Sequence, residues 1–344
     1  MPVFGMFGLY RYVLASLVVI SHFLPYTVLG VNAVYGFFIL SGYVVSYILS
    51  CNYLPLEGGK KRYGINRFLR IYPAYWLALL IVIALAWEFP DVARDINVAI
   101  WIPKTTWQWI TNLTTFGLVN ILGMYQNPQL LVVAWSLGVE MLYWALMPYF
   151  LESPGKRRAF IVFAVVYTVA VAILSAVYGP LNTISLRHPS PLAGALPFCI
   201  GMLYLRGKVQ GRVTRCGWFY GVAVACTWVI GFFIIPMRDP EYFAGYYTAM
   251  LANALVIYGL MTIDVQRLPA KLVALDHWLG DISYPLFLLH IPVGIALHAV
   301  LPLQPFHGWV FCLMGLLLAT FAASLFHIVV ERPINRIRQR IKFN

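Results

Sequence analysis

Long apolar segments follow one another along almost the whole chain, and this succession constrains the fold more than any other feature. A helix needs about 20 mainly apolar residues to cross the hydrocarbon core of a membrane. Ten segments approach that length, near 9–29, 31–51, 71–89, 130–150, 159–178, 190–206, 217–236, 245–263, 278–300 and 309–331. The sequence therefore predicts an all-α polytopic membrane protein with about ten transmembrane helices.

The composition argues against a soluble protein. Of the 344 residues, 61% are hydrophobic and only 10% are charged, whereas soluble domains carry about 25% charged residues. We expect a single integral-membrane domain over residues 1–344. The segment 105–123 is ambiguous, because Trp107 and Trp109 suit the headgroup level and the segment fits either a re-entrant or an interfacial piece.

The formal net charge of +12 does not require a nucleic-acid partner, because basic residues collect on the cytoplasmic loops of membrane proteins. Nineteen of the 24 Lys and Arg residues lie in alternate connections and the C-terminal tail, at 52–70, 151–158, 206–216, 264–277 and 332–344. This asymmetry predicts that both termini are cytoplasmic, as an even number of helices requires. The five cysteines show no metal-ligand spacing, so we predict no metal site.

The first predicted helix carries an ionisable residue at each end, Arg11 and His22, with ten uncharged residues between them. On a helix, this spacing places both side chains on one face, roughly 16 Å apart along the axis. Arg11 is then close to the cytoplasmic boundary and His22 close to the middle of the membrane. Arg11 fits a snorkelling anchor or a functional charge, and His22 fits a packing contact or proton transfer.

Other ionisable residues lie at the start of the third predicted helix or inside later ones. Arg67 and Arg70 are three residues apart and share a helical face, so they fit either phosphate binding or simple membrane anchoring. A carboxylate such as Glu140 is costly in a membrane unless it is paired or wet, and it could orient a catalytic histidine or lock two helices together. His290 fits packing or catalysis, and Glu331 is expected to pair with a cytoplasmic arginine.

Six motifs in order resemble acyltransferase family 3, the membrane-bound O-acyltransferases of bacterial surface glycans. Arg11 and His22 fit the R/K-x10-H motif, "FFILSGYVVS" is similar to FF-x-x-SG, "RFLR" matches R-x-x-R and "WSLGVE" matches W-S/T-L-x-x-E. The stretches "SYPLFLLHIP" and "ERP" also fit, so the resemblance covers about 10–335. Many members have Asp-Leu where this chain has Tyr35 and Gly36, and the SGNH hydrolase-like domain of some members is not expected here.

The resemblance implies transfer of an acyl group, usually acetyl, from acetyl-CoA to a hydroxyl of a glycan or lipid-linked oligosaccharide, such as O-antigen or exopolysaccharide. It implies a multi-pass protein of the bacterial inner membrane in contact with membrane lipids. His22 would be the general base or the acyl-carrying nucleophile, assisted by Glu140, with Arg11 at the entrance of the donor site. Arg67 and Arg70 would hold the CoA phosphates. The expected substrate-binding residues are Trp135, Ser136, Tyr284 and His290.

Two other functions remain open on the sequence alone. A transporter or flippase of a glycan or lipid-linked precursor would also have many helices and buried ionisable residues, but it predicts inverted repeats, and no clear repeat is present. A non-catalytic glycan-binding subunit would tolerate the loss of His22.

Overall fold

The computed structural model describes residues 6–24, 27–179, 182–205, 243–261, 268–301 and 308–343, together with residues 263 and 265. Within these ranges the regular structure is helical, apart from one isolated bridge between Val119 and Tyr125. The prediction of an all-helical, multi-pass membrane protein is confirmed at this level.

Thirteen α-helices are present in the described ranges, and we number them in chain order. They are α1 (Gly8–Phe23), α2 (Thr27–Ile48), α3 (Gly59–Glu88), α4 (Pro90–Ile96), α5 (Thr106–Thr114), α6 (Ala134–Phe150), α7 (Pro154–Tyr178), α8 (Ile184–Arg187), α9 (Ala195–Tyr204), α10 (Phe243–Met261), α11 (Ala270–Val300), α12 (Trp309–Phe326) and α13 (Arg332–Phe343). A π-helical turn follows α2 at Leu49–Tyr53 and another joins α12 to α13 at His327–Glu331. A 3₁₀ turn, Pro191–Gly194, leads into α9.

Nine of the ten predicted segments are helical in the structure, and the tenth, 217–236, lies outside the described residues. The largest difference in bounds is at α3, which begins at Gly59 rather than near 71, because the basic stretch before the apolar run is also helical. Five helices of the described ranges are long and apolar enough to cross a membrane, and three apolar helices are shorter. The total of ten spans and the cytoplasmic location of the termini stay predictions.

The segment 105–123 begins with α5, whose first turn is closed by a capping box between Thr105 and Gln108. The nine residues of α5 rise only about 14 Å and cannot cross a membrane. The Tyr72 hydroxyl donates to the Thr114 carbonyl at 2.9 Å. Tyr72 lies sixteen residues before the end of α3, about 24 Å along its axis. This depth favours a re-entrant segment over an interfacial one.

Helix α1 lies at the centre of the bundle, against α2, α11 and α12. Helix α9 packs closely against α2. A Cβ atom added at Gly42 of α2 would lie only 2.4 Å from the carbonyl oxygen of Phe198 in α9. Small residues permit such contacts between membrane helices.

At the basic end of α3, Lys156 and Lys60 both donate to Glu152 between α6 and α7, and they hold the pKa of this exposed carboxyl at about 2. The contacts with α9, α11 and α12 described above fix the positions of α1 and α2, which carry the residues of greatest functional interest.

Candidate active site

Two adjoining cavities run along the same face of α1. The first, which we call the arginine cavity, has a volume of about 380 Å³, and its polar lining includes Arg11, Ser41, Arg67, Arg70, Glu140, Asp281, Tyr284 and Arg338. The second, the histidine cavity, has a volume of about 330 Å³, and its lining includes Ser21, His22, Asn97, Tyr125, Trp135 and His188. Arg11 and His22 thus face the same side of α1, as their spacing predicts, but they open into different cavities.

Aromatic faces support the arginines of α3. The Arg67 guanidinium carbon lies 4.6 Å from the centre of the Trp144 ring and 5.4 Å from that of Tyr63. The Arg70 guanidinium carbon lies 5.6 Å from the Tyr284 ring centre. A guanidinium that stacks on an aromatic ring keeps its in-plane N–H donors for an anion. The same geometry places Tyr284 in the arginine cavity, where its hydroxyl donates to the Ile71 carbonyl at 3.1 Å.

The π-helical turn after α12 supplies a buried carboxylate to this group. Glu331 lies 3.7 Å from Arg70, and its other carboxylate oxygen lies 3.0 Å from Nδ1 of His327. The predicted pairing of Glu331 with an arginine is confirmed, and its partner is one of the two arginines of "RFLR".

Arg338 is a cavity residue that the sequence analysis missed. Its Nη2 donates to the buried Asn66 side chain at 3.0 Å, and it lines the arginine cavity beside Arg67 and Arg70. In the sequence, Arg338 is one of five basic residues in the C-terminal tail, and the pattern of all five is typical of membrane anchoring. Only the packing of α13 against α3 distinguishes it from its neighbours.

Glu140 belongs to the arginine cavity and does not reach His22. The Ser41 hydroxyl donates to its carboxylate, and Arg67, Arg11 and Arg70 lie within electrostatic reach. The antiparallel packing of α1 and α2 explains this depth, since Gly30 lies against Ser21 and Gly36 against Leu14, which brings Ser41 to the Arg11 end of α1. These contacts fit organisation of the arginine cluster, and the expected role of Glu140 in orienting His22 stays a prediction.

His290 is the residue that lies beside His22. The two imidazole ring centres are 5.2 Å apart, with the planes inclined by 38°. Nδ1 of His290 lies 2.9 Å from the Phe287 carbonyl oxygen, which can only accept a hydrogen bond. In the neutral ring the proton is then on Nδ1, and Nε2 is a bare acceptor. This Nε2 is buried and has no hydrogen-bond partner among the described residues.

The histidine cavity is walled by aromatic rings. Trp135 meets His188 edge-on at 4.6 Å between ring centres, and Tyr125 lies 6.2 Å from Trp135 in a similar arrangement. Ser136 lines both cavities, and its hydroxyl donates to the Val133 carbonyl at 2.9 Å. The sequence analysis missed His188, because "RHPS" lies in a connection and carries no recognisable motif.

Several helices long enough to cross a membrane, a cationic cavity and an adjoining pair of histidines fit the acyltransferase that the motifs led us to expect. The chain belongs to the acyltransferase 3 family, since the family model described as an acyltransferase domain matches residues 7–328. It is also 24% identical, over 318 residues and 90% of each chain, to the exopolysaccharide production protein ExoZ of Rhizobium meliloti (strain 1021). No solved structure matches the chain. The resemblance found in the motifs is thus confirmed, and it favours an enzyme over a transporter.

Proposed function

We propose that this protein is an O-acetyltransferase of the bacterial inner membrane, which moves an acetyl group from cytoplasmic acetyl-CoA to a hydroxyl of a cell-surface or lipid-linked glycan. The observation that carries the proposal is the contact between two chemically different cavities. The arginine cavity suits the anionic end of a donor, and the histidine cavity suits a neutral acceptor. An acyl donor that lies across both would bring its thioester to His22.

The positive charge of the arginine cavity supports the binding of acetyl-CoA there. Four arginines line the arginine cavity, against the two carboxylates Glu140 and Asp281. The phosphates of CoA cannot enter hydrocarbon, whereas bidentate guanidinium groups bind phosphate oxygens strongly. The slender pantetheine arm would extend from this cluster along α1, where Arg11 and His22 are separated by roughly 16 Å.

The chemistry uses His22 in one of two ways. In direct transfer, His22 takes the proton of the acceptor hydroxyl, whose oxygen attacks the thioester carbonyl carbon. The C–S bond then breaks, and the CoA thiolate takes the proton from the imidazolium. In the covalent route, a ring nitrogen of His22 attacks the thioester carbonyl carbon, the C–S bond breaks and the CoA thiolate takes the other ring proton. The acceptor oxygen then attacks the acyl-imidazole, the C–N bond breaks and the hydroxyl proton passes to the ring. In both routes the His290 ring, whose centre lies 5.2 Å from that of His22, is close enough to influence the charge that forms on the His22 ring.

The aromatic walls of the histidine cavity support the binding of a sugar acceptor there. The apolar C–H face of a sugar ring packs well against flat aromatic surfaces such as those of Trp135 and Tyr125. The name of the Rhizobium relative refers to exopolysaccharide production, and we extend that glycan class to this protein. No resident metal or other cofactor enters the proposed reaction.

The proposal is tested on the glycans of the host cell. Surface and lipid-linked glycans from cells with the gene, without it, and with His22→Ala are compared by mass spectrometry. We expect an acetyl ester that is present only with the wild-type gene. Acetylation that persists with a normally inserted His22→Ala protein would overturn the role of His22, and unchanged glycans in all three strains would overturn the function.

The two routes are separated with purified protein in nanodiscs and acetyl-CoA alone. The covalent route predicts a burst of free thiol equal to the enzyme concentration, because acetyl-His22 accumulates without an acceptor. Direct transfer predicts no burst.

A further inference from the structure

Three residues line both cavities, and they come from three different helices. They are Val34 of α2, Ser136 of α6 and Phe287 of α11, and each is less than a tenth exposed. We call this set the partition. Because His22 lines only the histidine cavity and the arginines line only the arginine cavity, the shortest path between them crosses the partition.

Phe287 is the largest member of the partition, and its ring lies between the two sites. Its centre is 6.0 Å from that of Phe37, which lines the arginine cavity. On the other side it is 6.4 Å from the His290 ring. The contact of Phe287 with His290 Nδ1 uses the backbone carbonyl, so a change of the Phe287 side chain leaves that hydrogen bond in place.

The partition has the chemistry of a size filter. Its Val34 and Phe287 side chains are apolar, and the Ser136 hydroxyl already donates to a backbone carbonyl. Such a lining attracts an acyl chain but offers no group that would distinguish one acyl chain from another except by volume. Packed protein interiors respond to a change of a single methylene, and one methylene in an apolar pocket changes kcat/KM by roughly 10- to 200-fold.

We propose that the partition is the selectivity element of the enzyme, crossed by the acyl end of the donor and wide enough for the unbranched acetyl group and the pantetheine arm that follows it, but not for wider, branched acyl groups. This inference rests on the proposed acetyltransferase function and adds to it the residues that set the acyl group. The partition side chains meet the acyl end, far from the phosphates, and so they act on the choice of donor rather than on the affinity for CoA.

The test measures kcat/KM for acetyl-CoA and isobutyryl-CoA with purified protein in nanodiscs and the glycan fraction of a gene-deleted host as acceptor. Phe287→Ala enlarges the passage, and we expect the isobutyryl-to-acetyl ratio of kcat/KM to rise about 10-fold or more. Val34→Phe narrows the passage from another helix, and we expect the ratio to fall. Phe326→Ala is the matched control, since Phe326 is as deeply buried as Phe287 but lines neither cavity, and its ratio should stay close to that of the wild type.

The outcomes separate this inference from the proposed function. A wild-type protein with no acetyl transfer in this assay contradicts the function itself. An active wild type whose ratio is unchanged in both Phe287→Ala and Val34→Phe overturns the partition, as does an equal shift in Phe326→Ala. Should Phe287→Ala fail to fold, Phe287→Leu and Val34→Phe carry the same test with smaller changes of volume.

Discussion

At the scale of single residues, the pair of histidines is the most informative feature of the site. His290 has its Nδ1 occupied by a backbone carbonyl, and its bare Nε2 is buried near the His22 ring. Two imidazolium rings this close would repel each other, so the pair carries at most one proton in excess of neutrality. A neutral His290 therefore keeps an acceptor nitrogen available beside the His22 ring.

The role of His290 predicts a graded response to substitution. His290→Leu removes the acceptor, and we expect kcat to fall by roughly 10²-fold while KM for acetyl-CoA stays unchanged. His290→Gln places an amide oxygen close to the position of Nε2 and should recover part of the activity. Equal losses in the two variants would show that His290 only fills space.

The arginines of α3 predict a change in donor binding. Arg67→Ala and Arg70→Ala each remove a charged hydrogen-bond donor, and we expect KM for acetyl-CoA to rise about 10-fold or more. Acetyl-pantetheine has no CoA phosphates, so its use should be unaffected by either change. Lys61→Ala is the control, because Lys61 is an exposed basic residue of the same helix outside the cavity. A matching rise in KM for acetyl-pantetheine would contradict phosphate binding.

At the scale of elements, π-helical turns end both α2 and the helix that precedes α13. Such turns are frequent at functional sites, because the extra residue in the turn redirects the side chains that follow. The turn His327–Glu331 buries Glu331 against Arg70, and α13 then brings Arg338 to the same cavity. The C-terminal basic segment is thus part of the cavity wall as well as a basic tail.

This arrangement predicts that Arg70 of α3 and Glu331 of the π-helical turn His327–Glu331 stabilise the fold jointly. Glu331→Gln leaves Arg70 without its carboxylate, and Arg70→Gln leaves the buried Glu331 charge near His327 alone, so each should lower the melting temperature in detergent. The double variant should lose less than the two single losses added together, with a coupling energy of about 0.5–3 kcal/mol. Strictly additive losses would mean that the 3.7 Å contact is not an interaction.

At the scale of the whole molecule, the helical class and the order of the segments follow from hydropathy alone, since apolar runs of this length have few other solutions. The same-face placement of Arg11 and His22 also follows from helical geometry. The partner of His22 does not follow from helical geometry, because the depth of Glu140 in the bundle depends on how α6 packs against α2. His188 and Arg338 were missed for a related reason: each reaches a cavity through tertiary packing rather than through a local pattern.

The central claim is that His22 receives the acyl group of a donor that enters from the cytoplasmic face, and sided vesicles test it most directly. Inside-out and right-side-out vesicles are prepared from host cells that express the wild type or His22→Ala, and both receive radiolabelled acetyl-CoA, which does not cross the membrane. We predict label in the glycan fraction of inside-out vesicles with the wild type, and none with His22→Ala. Equal labelling of intact right-side-out vesicles, or labelling that persists with His22→Ala, would contradict the account.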